Sequence, residues 1–161
     1  MMQSAHSGSD IQISGFERDR HWLFVKRIAK SHWNLLGEDG PGCSQVKKWS
    51  ESDAVTKGYI NFRVLEVGGV PKGFAISTLP YPSSSENCYI ATVLQLAVSE
   101  SRQGYGGELL ADAEARIREK DLTCPIMLGL APGNEKALAF FKKYGFMVDT
   151  REPSGLQLYK Y

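Results

Sequence analysis

The chain has 161 residues, apolar and charged fractions of 42% and 23%, and a formal net charge of +1. That length suits one domain whose core needs neither metal nor disulfide support. The near-zero charge argues against a dedicated nucleic-acid binder, which would normally carry a basic excess.

The N-terminal MMQSAHSGSD lacks the basic-then-apolar pattern of a signal peptide, and no apolar run approaches transmembrane length. This reading excludes a membrane and points to a cytoplasmic location. Met1 to Asp10 are small and polar and are predicted to be disordered, leaving 11–161 as the folded domain. From His21 to Leu36, Trp22, Val25, Ile28, Ala29, Trp33 and Leu36 recur at helical spacing, with Lys26, Arg27 and Lys30 toward solvent. GEDGPGCS, 37–44, reads as a loop, and a short helix is predicted around Cys43 to Trp49. Two β-rich runs, Tyr59 to Val67 and Lys72 to Leu79, flank Gly68-Gly69 as an antiparallel hairpin would. A loop follows from Pro80 to Asn87. Cys88 to Val98, CYIATVLQLAV, is a nearly continuous apolar run suited to a central strand buried on both faces.

Three glycines, Gly104, Gly106 and Gly107, then stand at the mouth of a helix whose apolar face is Leu109, Leu110, Ala113 and Ile117, ending near Lys120. Pro125 to Leu130 reads as a short strand, Asn134 to Tyr144 as a second helix stopped by Gly145. Phe146 to Asp149 and Leu156 to Tyr161 read as a strand pair around a turn at 153–155. The order predicts one mixed α/β (α+β) domain: a mostly antiparallel central sheet flanked by helices.

The glycines carry the chemistry. The first amides of a helix have no intrahelical partners. Glycines there let a ligand approach the backbone, at the positive end of the helix dipole. Three or four such contacts, each worth about 1.5–3 kcal/mol to a charged group, would hold a diphosphate. A tight strand-to-helix turn is the plainer alternative, though one glycine would serve it. No Gly-Lys-Ser/Thr closes a P-loop, and the third glycine of a dinucleotide fingerprint would fall on Leu109.

GYGGELL, preceded by LAVSESRQ, resembles the acyl-CoA loop of the GNAT superfamily of N-acyltransferases, Gln/Arg-x-x-Gly-x-Gly/Ala after an apolar strand and before a helix. APGNEKALAFFKKYGF, from Ala131 to Phe146, resembles the family's Asn-…-Ala-…-Tyr-…-Gly-Phe segment. The likeness spans roughly Tyr59 to Tyr161 and implies a GNAT-like fold, acetyl-CoA or coenzyme A as co-substrate, no metal, and direct acetyl transfer to a primary amine on a small molecule or peptide. An acyl-CoA-binding sensor or accessory domain with weak or lost chemistry is the alternative.

By position, the resemblance implies that Leu96, Ala97 and Val98 bond the pantetheine arm through their backbone. Gln103, Gly104, Tyr105, Gly106 and Gly107 would bind the pyrophosphate, and Asn134 would reach the pantetheine or cap its helix. The loop register is open. Aligning Gly104 and Gly106 with the paired glycines puts Ser101 first in the motif and Arg102 within reach of a phosphate; putting Gln103 first places Glu108 where Gly or Ala is expected. Phe141 stands where many members have a proton-donating Tyr, so Tyr144, one turn on, is the candidate acid. Thr92 stands where some relatives have a Glu base, leaving Glu86 or Tyr89 as candidates; His21 and His32 are weaker ones. Neither Cys88 nor Cys124 has a His at nucleophile spacing.

Trp22, Trp33, Trp49, Tyr59 and Tyr81 could line an apolar or aromatic acceptor pocket, with core packing the plainer reading. Glu38, Asp39, Glu51 and Asp53 could attract a cationic amine or simply solvate a loop. Dimers are common in the family, and LQLYKY alternates as an edge or paired strand would.

Overall fold

The computed structural model describes residues 10–31, 43–51, 58–83 and 88–161, and among these it has eight strands and four helices. The strands are β1 (Ile11–Gly15), β2 (Ile60–Val67), β3 (Val70–Thr78), β4 (Tyr81–Pro82), β5 (Tyr89–Val98), β6 (Ile126–Gly129), β7 (Met147–Val148) and β8 (Gln157–Lys160). The helices are α1 (Arg18–Ser31), α2 (Cys43–Glu51), α3 (Tyr105–Lys120) and α4 (Glu135–Lys143). The sheet runs β1-β2-β3-β5-β6-β8-β7, with β4 paired to β5 beside the main path. Every pairing is antiparallel except β5 with β6.

Alternating side chains send the two faces of this sheet into separate cores. Phe62, Val64, Phe74 and Ile76 face one way and pack with Phe24, Val25 and Ile28 of α1. Leu65, Ala75 and Val93 face the other way with Leu109, Leu110 and Ile117 of α3, and Ala137 and Phe141 of α4. A bulge switches the faces of β5: Ser77 pairs with Val93 but Ile76 with Gln95, so Leu94 is the extra residue. β5 pairs with β6 only at Ala91↔Ile126 and Thr92↔Met127. Beyond Thr92 the two parallel strands part, and the C-terminal half of β5 leads into the glycine turn with no partner on that side among the described residues.

The hairpin at Gly68-Gly69, both with positive φ, lies where its sequence places it. Strand β1 is a correction: the sequence reading has no element before His21. IQISG offers only two apolar residues, and long-range pairing from Ile11↔Val67 to Gly15↔Arg63 makes it a strand. Helix α1 begins three residues earlier than predicted, at Arg18; the buried His21 ring accepts the Glu17 backbone N–H through Nδ1 at 2.9 Å and so holds that end. The 80–87 loop carries a two-residue strand, β4. LQLYKY forms β8, enclosed between β6 and β7, so it is a paired strand and not an edge. The expectations for 1–9, for His32, Trp33, Leu36, Glu38, Asp39 and Asp53, and for Glu86 lie outside the described residues.

Candidate active site

The turn from β5 into α3 is anchored on β3. The Ser99 N–H and hydroxyl both donate to the Lys72 carbonyl, at 2.8 and 3.1 Å, and Lys72 Nζ donates to Glu100 at 2.7 Å. That bond to Glu100 raises the Lys72 pKa, so the ammonium persists and neutralises the carboxylate at the start of the turn. Arg102 then takes φ 63°, a left-handed conformation unusual for a residue with a side chain. Gly104 follows at φ 81° as the N-cap of α3.

This cap makes no side-chain hydrogen bond to the helix. The first bond closing the turn is Glu108 N–H to the Gly104 carbonyl at 3.1 Å, so the amides of Tyr105, Gly106 and Gly107 precede the helical ladder. They border a cleft of about 320 Å³, walled by Val98, the 100–107 turn, and Lys136, Ala139, Phe140, Lys143 and Tyr144 at α4. The turn is not filled by its own side chains. With Glu100 paired to Lys72, the charged groups of the rim are Arg102, Lys136 and Lys143, a setting for an anion.

Gly107 has a different reason from Gly104. A Cβ there would overlap the Tyr144 hydroxyl and ring, whereas one at Gly104 would meet nothing. Tyr144 in turn packs on Phe140, with ring centroids 4.9 Å apart. Tyr144 therefore reaches the cleft, and its hydroxyl lies against the start of α3.

The sequence-named residues sort by place. Val98, Arg102, Gln103, Gly104, Tyr105, Gly106 and Gly107 gather on the cleft wall. Leu96 and Ala97 are fully buried on the stretch of β5 that pairs with β3 but not with β6. Asn134 caps α4, its Oδ1 accepting from the Ala137 N–H at 3.2 Å. Phe141 is fully buried, edge-on to Phe140 and Phe146, and points into the core; its neighbour Phe140 lines the cleft instead. A helical turn places residues 136, 140, 143 and 144 on one face and 137 and 141 on another. Glu100, and Lys136, Ala139, Phe140 and Lys143 at α4, are the cleft residues the sequence reading missed; for the last four the 3.6-residue period of α4 was the available signal.

Tyr89 is exposed, and the exposed Cys88 and buried Cys124 are free thiols, with burial pushing the Cys124 pKa up. His21 is wholly buried between the Glu17 N–H and the Glu66 carboxylate, 3.5 Å away, as a structural group. Among the described residues no cluster of three His, Cys, Asp or Glu could hold a metal ion, and no helix is long and apolar enough to cross a membrane.

The sheet opens after Thr92 beside an α3 N-terminus that no side chain caps. The chain belongs to the acetyltransferase (GNAT) family, whose model matches residues 24–146. Among solved structures it is similar to the PaiA N-acetyltransferase of Thermoplasma acidophilum in complex with coenzyme A. That match has 17% identity and a TM-score of 0.67, covering 93% of this chain and 98% of that one. It is also similar to Naa50 of Arabidopsis thaliana, in complex with the bisubstrate analogue CoA-Ac-MVNAL, at 19% identity and TM-score 0.59, covering 93% and 95%. Ard1 of Thermoplasma volcanium matches at 22% identity and TM-score 0.61, covering 93% and 94%. At these identities the likeness is one of fold. A search of curated proteins finds no significant match. Family membership supports acetyl transfer in general.

Proposed function

We propose that this protein is an N-acetyltransferase that moves an acetyl group from acetyl-CoA to a primary amine, directly, with both substrates bound together. The observation that carries this reading is the glycine N-cap of α3, which leaves three leading amides facing a cationic-rimmed cleft beside the split of β5 and β6. These residues suit coenzyme A. The amides of 103–107 would hold its pyrophosphate, with Arg102 nearby, and the helix dipole would add about 0.3–1 kcal/mol. The backbone of Leu96, Ala97 and Val98, on the edge of β5 that β6 leaves open, would bond the pantetheine, and Asn134 would reach it from the start of α4. Bound there, the thioester supplies the activated acyl group.

What the chain contributes is placement. Holding two reactants in line is worth about 7–11 kcal/mol in well-oriented cases, so a sparse acid–base set suffices. A β5 amide at the split would polarise the carbonyl as charge develops on it. The amine nitrogen bonds the carbonyl carbon, the C–S bond breaks, and the nitrogen gives up one proton to solvent. A thiol pKa near 8.5 makes the thiolate a tolerable leaving group. Phe141 has no proton to give, so Tyr144, which lines the cleft, would be the side chain to protonate the thiolate.

The buried Phe141 also favours a second reading, a sensor that binds acyl-CoA without turnover. Calorimetry with coenzyme A and thiol release from acetyl-CoA over an amine panel test both. Binding with amine-dependent thiol release is the expected result. Binding without it selects the sensor, and absence of binding removes both readings.

A further inference from the structure

A second cavity lies where β2 begins and β3 ends. It has a volume of about 320 Å³ and is walled by Tyr59, Ile60, Thr78, Leu79, Pro80 and Tyr81. Thr78 follows Phe74 and Ile76 in the alternation of β3, and those two pack with α1; Ile60 packs against the same core. Ile60 and Thr78 thus place part of the cavity on the α1 side, while Tyr59, Leu79 and Pro80 also border a neighbouring cavity with Lys120 and Asp121 at the end of α3.

Its polar end lies at the split. Tyr81 Oη and Thr92 Oγ1 are 3.0 Å apart and share one hydrogen bond. Thr78 Oγ1 accepts the Thr92 backbone N–H at 2.9 Å, which fixes Thr92 beside the cavity wall. Thr92 is also the last residue of β5 paired with β6, so its hydroxyl marks the vertex from which the strands diverge. Two large rings stay open to solvent here, Tyr59 at 65% and Tyr81 at 39% exposure. Further along the same face of β5, Gln95 is fully buried beside Ile76, with both carboxamide heteroatoms unpartnered by protein.

We propose that this cavity is the acceptor site, and that the acceptor is a small primary amine carrying an aromatic or flat apolar group. The inference rests on the acetyltransferase reading and names its substrate class. Small-molecule sites start at about 300 Å³, so this one fits a single ring on a short chain. Tyr59 and Tyr81 flank the ring with flat apolar surface. The shared hydrogen bond leaves lone pairs on the Tyr81 and Thr92 oxygens. These accept from the amine N–H and turn its own lone pair toward the split, where the thioester arrives. Both hydroxyls keep their own protons and take up none: the N–C bond forms, the C–S bond breaks, and the proton lost by nitrogen goes to water past the exposed Tyr81.

The test uses the full chain with acetyl-CoA and three acceptors: 2-phenylethylamine, putrescine, and a tetrapeptide with a free N-terminus. Thiol release is expected to give kcat/KM for 2-phenylethylamine roughly tenfold or more above the other two, the scale of filling an apolar pocket. Tyr59→Ala should raise the KM for 2-phenylethylamine by roughly tenfold and leave that for acetyl-CoA unchanged. Tyr81→Phe keeps the wall and should lower kcat instead. Both side chains are exposed, so the folded state tolerates either change, and the acetyl-CoA KM reports it. Equal rates for all three amines, preference for the peptide or for putrescine, or unchanged constants in both variants would overturn the acceptor assignment. Failure of the wild type to bind coenzyme A by calorimetry would instead sink the acetyltransferase reading beneath it.

Discussion

Gly104 and Gly107 are three residues apart and are glycine for unrelated reasons. At Gly104 the backbone lies at φ 81° with open space around the missing Cβ, so alanine meets only the left-handed strain of about 1–2 kcal/mol. At Gly107 the backbone is helical and the obstacle is the Tyr144 ring. Alanine there must displace a packed aromatic, at about 1–3 kcal/mol. A double-mutant cycle by urea denaturation separates the two. Gly107→Ala should be largely rescued by Tyr144→Ala, because the clash disappears with the ring. Gly104→Ala with the same partner should add. Additivity in both pairs would mean that Tyr144 does not press on Gly107.

The two helices at the cleft begin in opposite ways. Helix α4 is capped by Asn134, and α3 is not capped by any side chain. Removing the cap in Asn134→Ala should cost about 0.5–2 kcal/mol of stability. Asn134→Asp keeps an accepting oxygen and should restore most of that, while losing the carboxamide's donor. Comparing the two variants divides Asn134's roles: weaker coenzyme A binding in Asn134→Asp at near-native stability would assign it a ligand contact, and native affinity would leave it as a cap alone. The uncapped start of α3 has no such stabilisation to lose, which is what an end reserved for a ligand would show.

At the scale of the whole molecule, acid stability follows from the β7–β8 connection. Asp149 is nearly enclosed, and the Arg151 guanidinium and backbone N–H both donate to it at 3.0 Å, holding its carboxyl below the usual range. The folded pKa is depressed, so the stabilisation is complete above the unfolded value of about 3.9. It is lost as pH falls through the lower folded value. Asp121, bonded by the Thr123 and Cys124 backbone amides at the end of α3, acts with the same sign. Acid unfolding followed by circular dichroism should therefore be shallower in Asp149→Asn than in the wild type below about pH 4, with the variant already less stable at neutral pH. An unchanged acid limb would show that this ion pair contributes nothing.

Local pattern was enough for the β2–β3 hairpin, the amphipathic faces of α1 and α3, the Asn134 cap and the glycine turn, because each depends on spacing within a dozen residues. The sequence also carried the family resemblance that the family model bears out over 24–146. Three features depended on contacts between segments far apart in the chain. Strand β1 exists through pairing with β2, fifty residues away. Phe141 is core and Phe140 cleft because of how α4 is rotated against the sheet. The parting of β5 from β6 after Thr92, and the cavity beside Tyr81, follow from a bulge and a strand pairing that no run of residues announces. Hydrophobic period fixes which face of an element is apolar; only packing decides what that face meets.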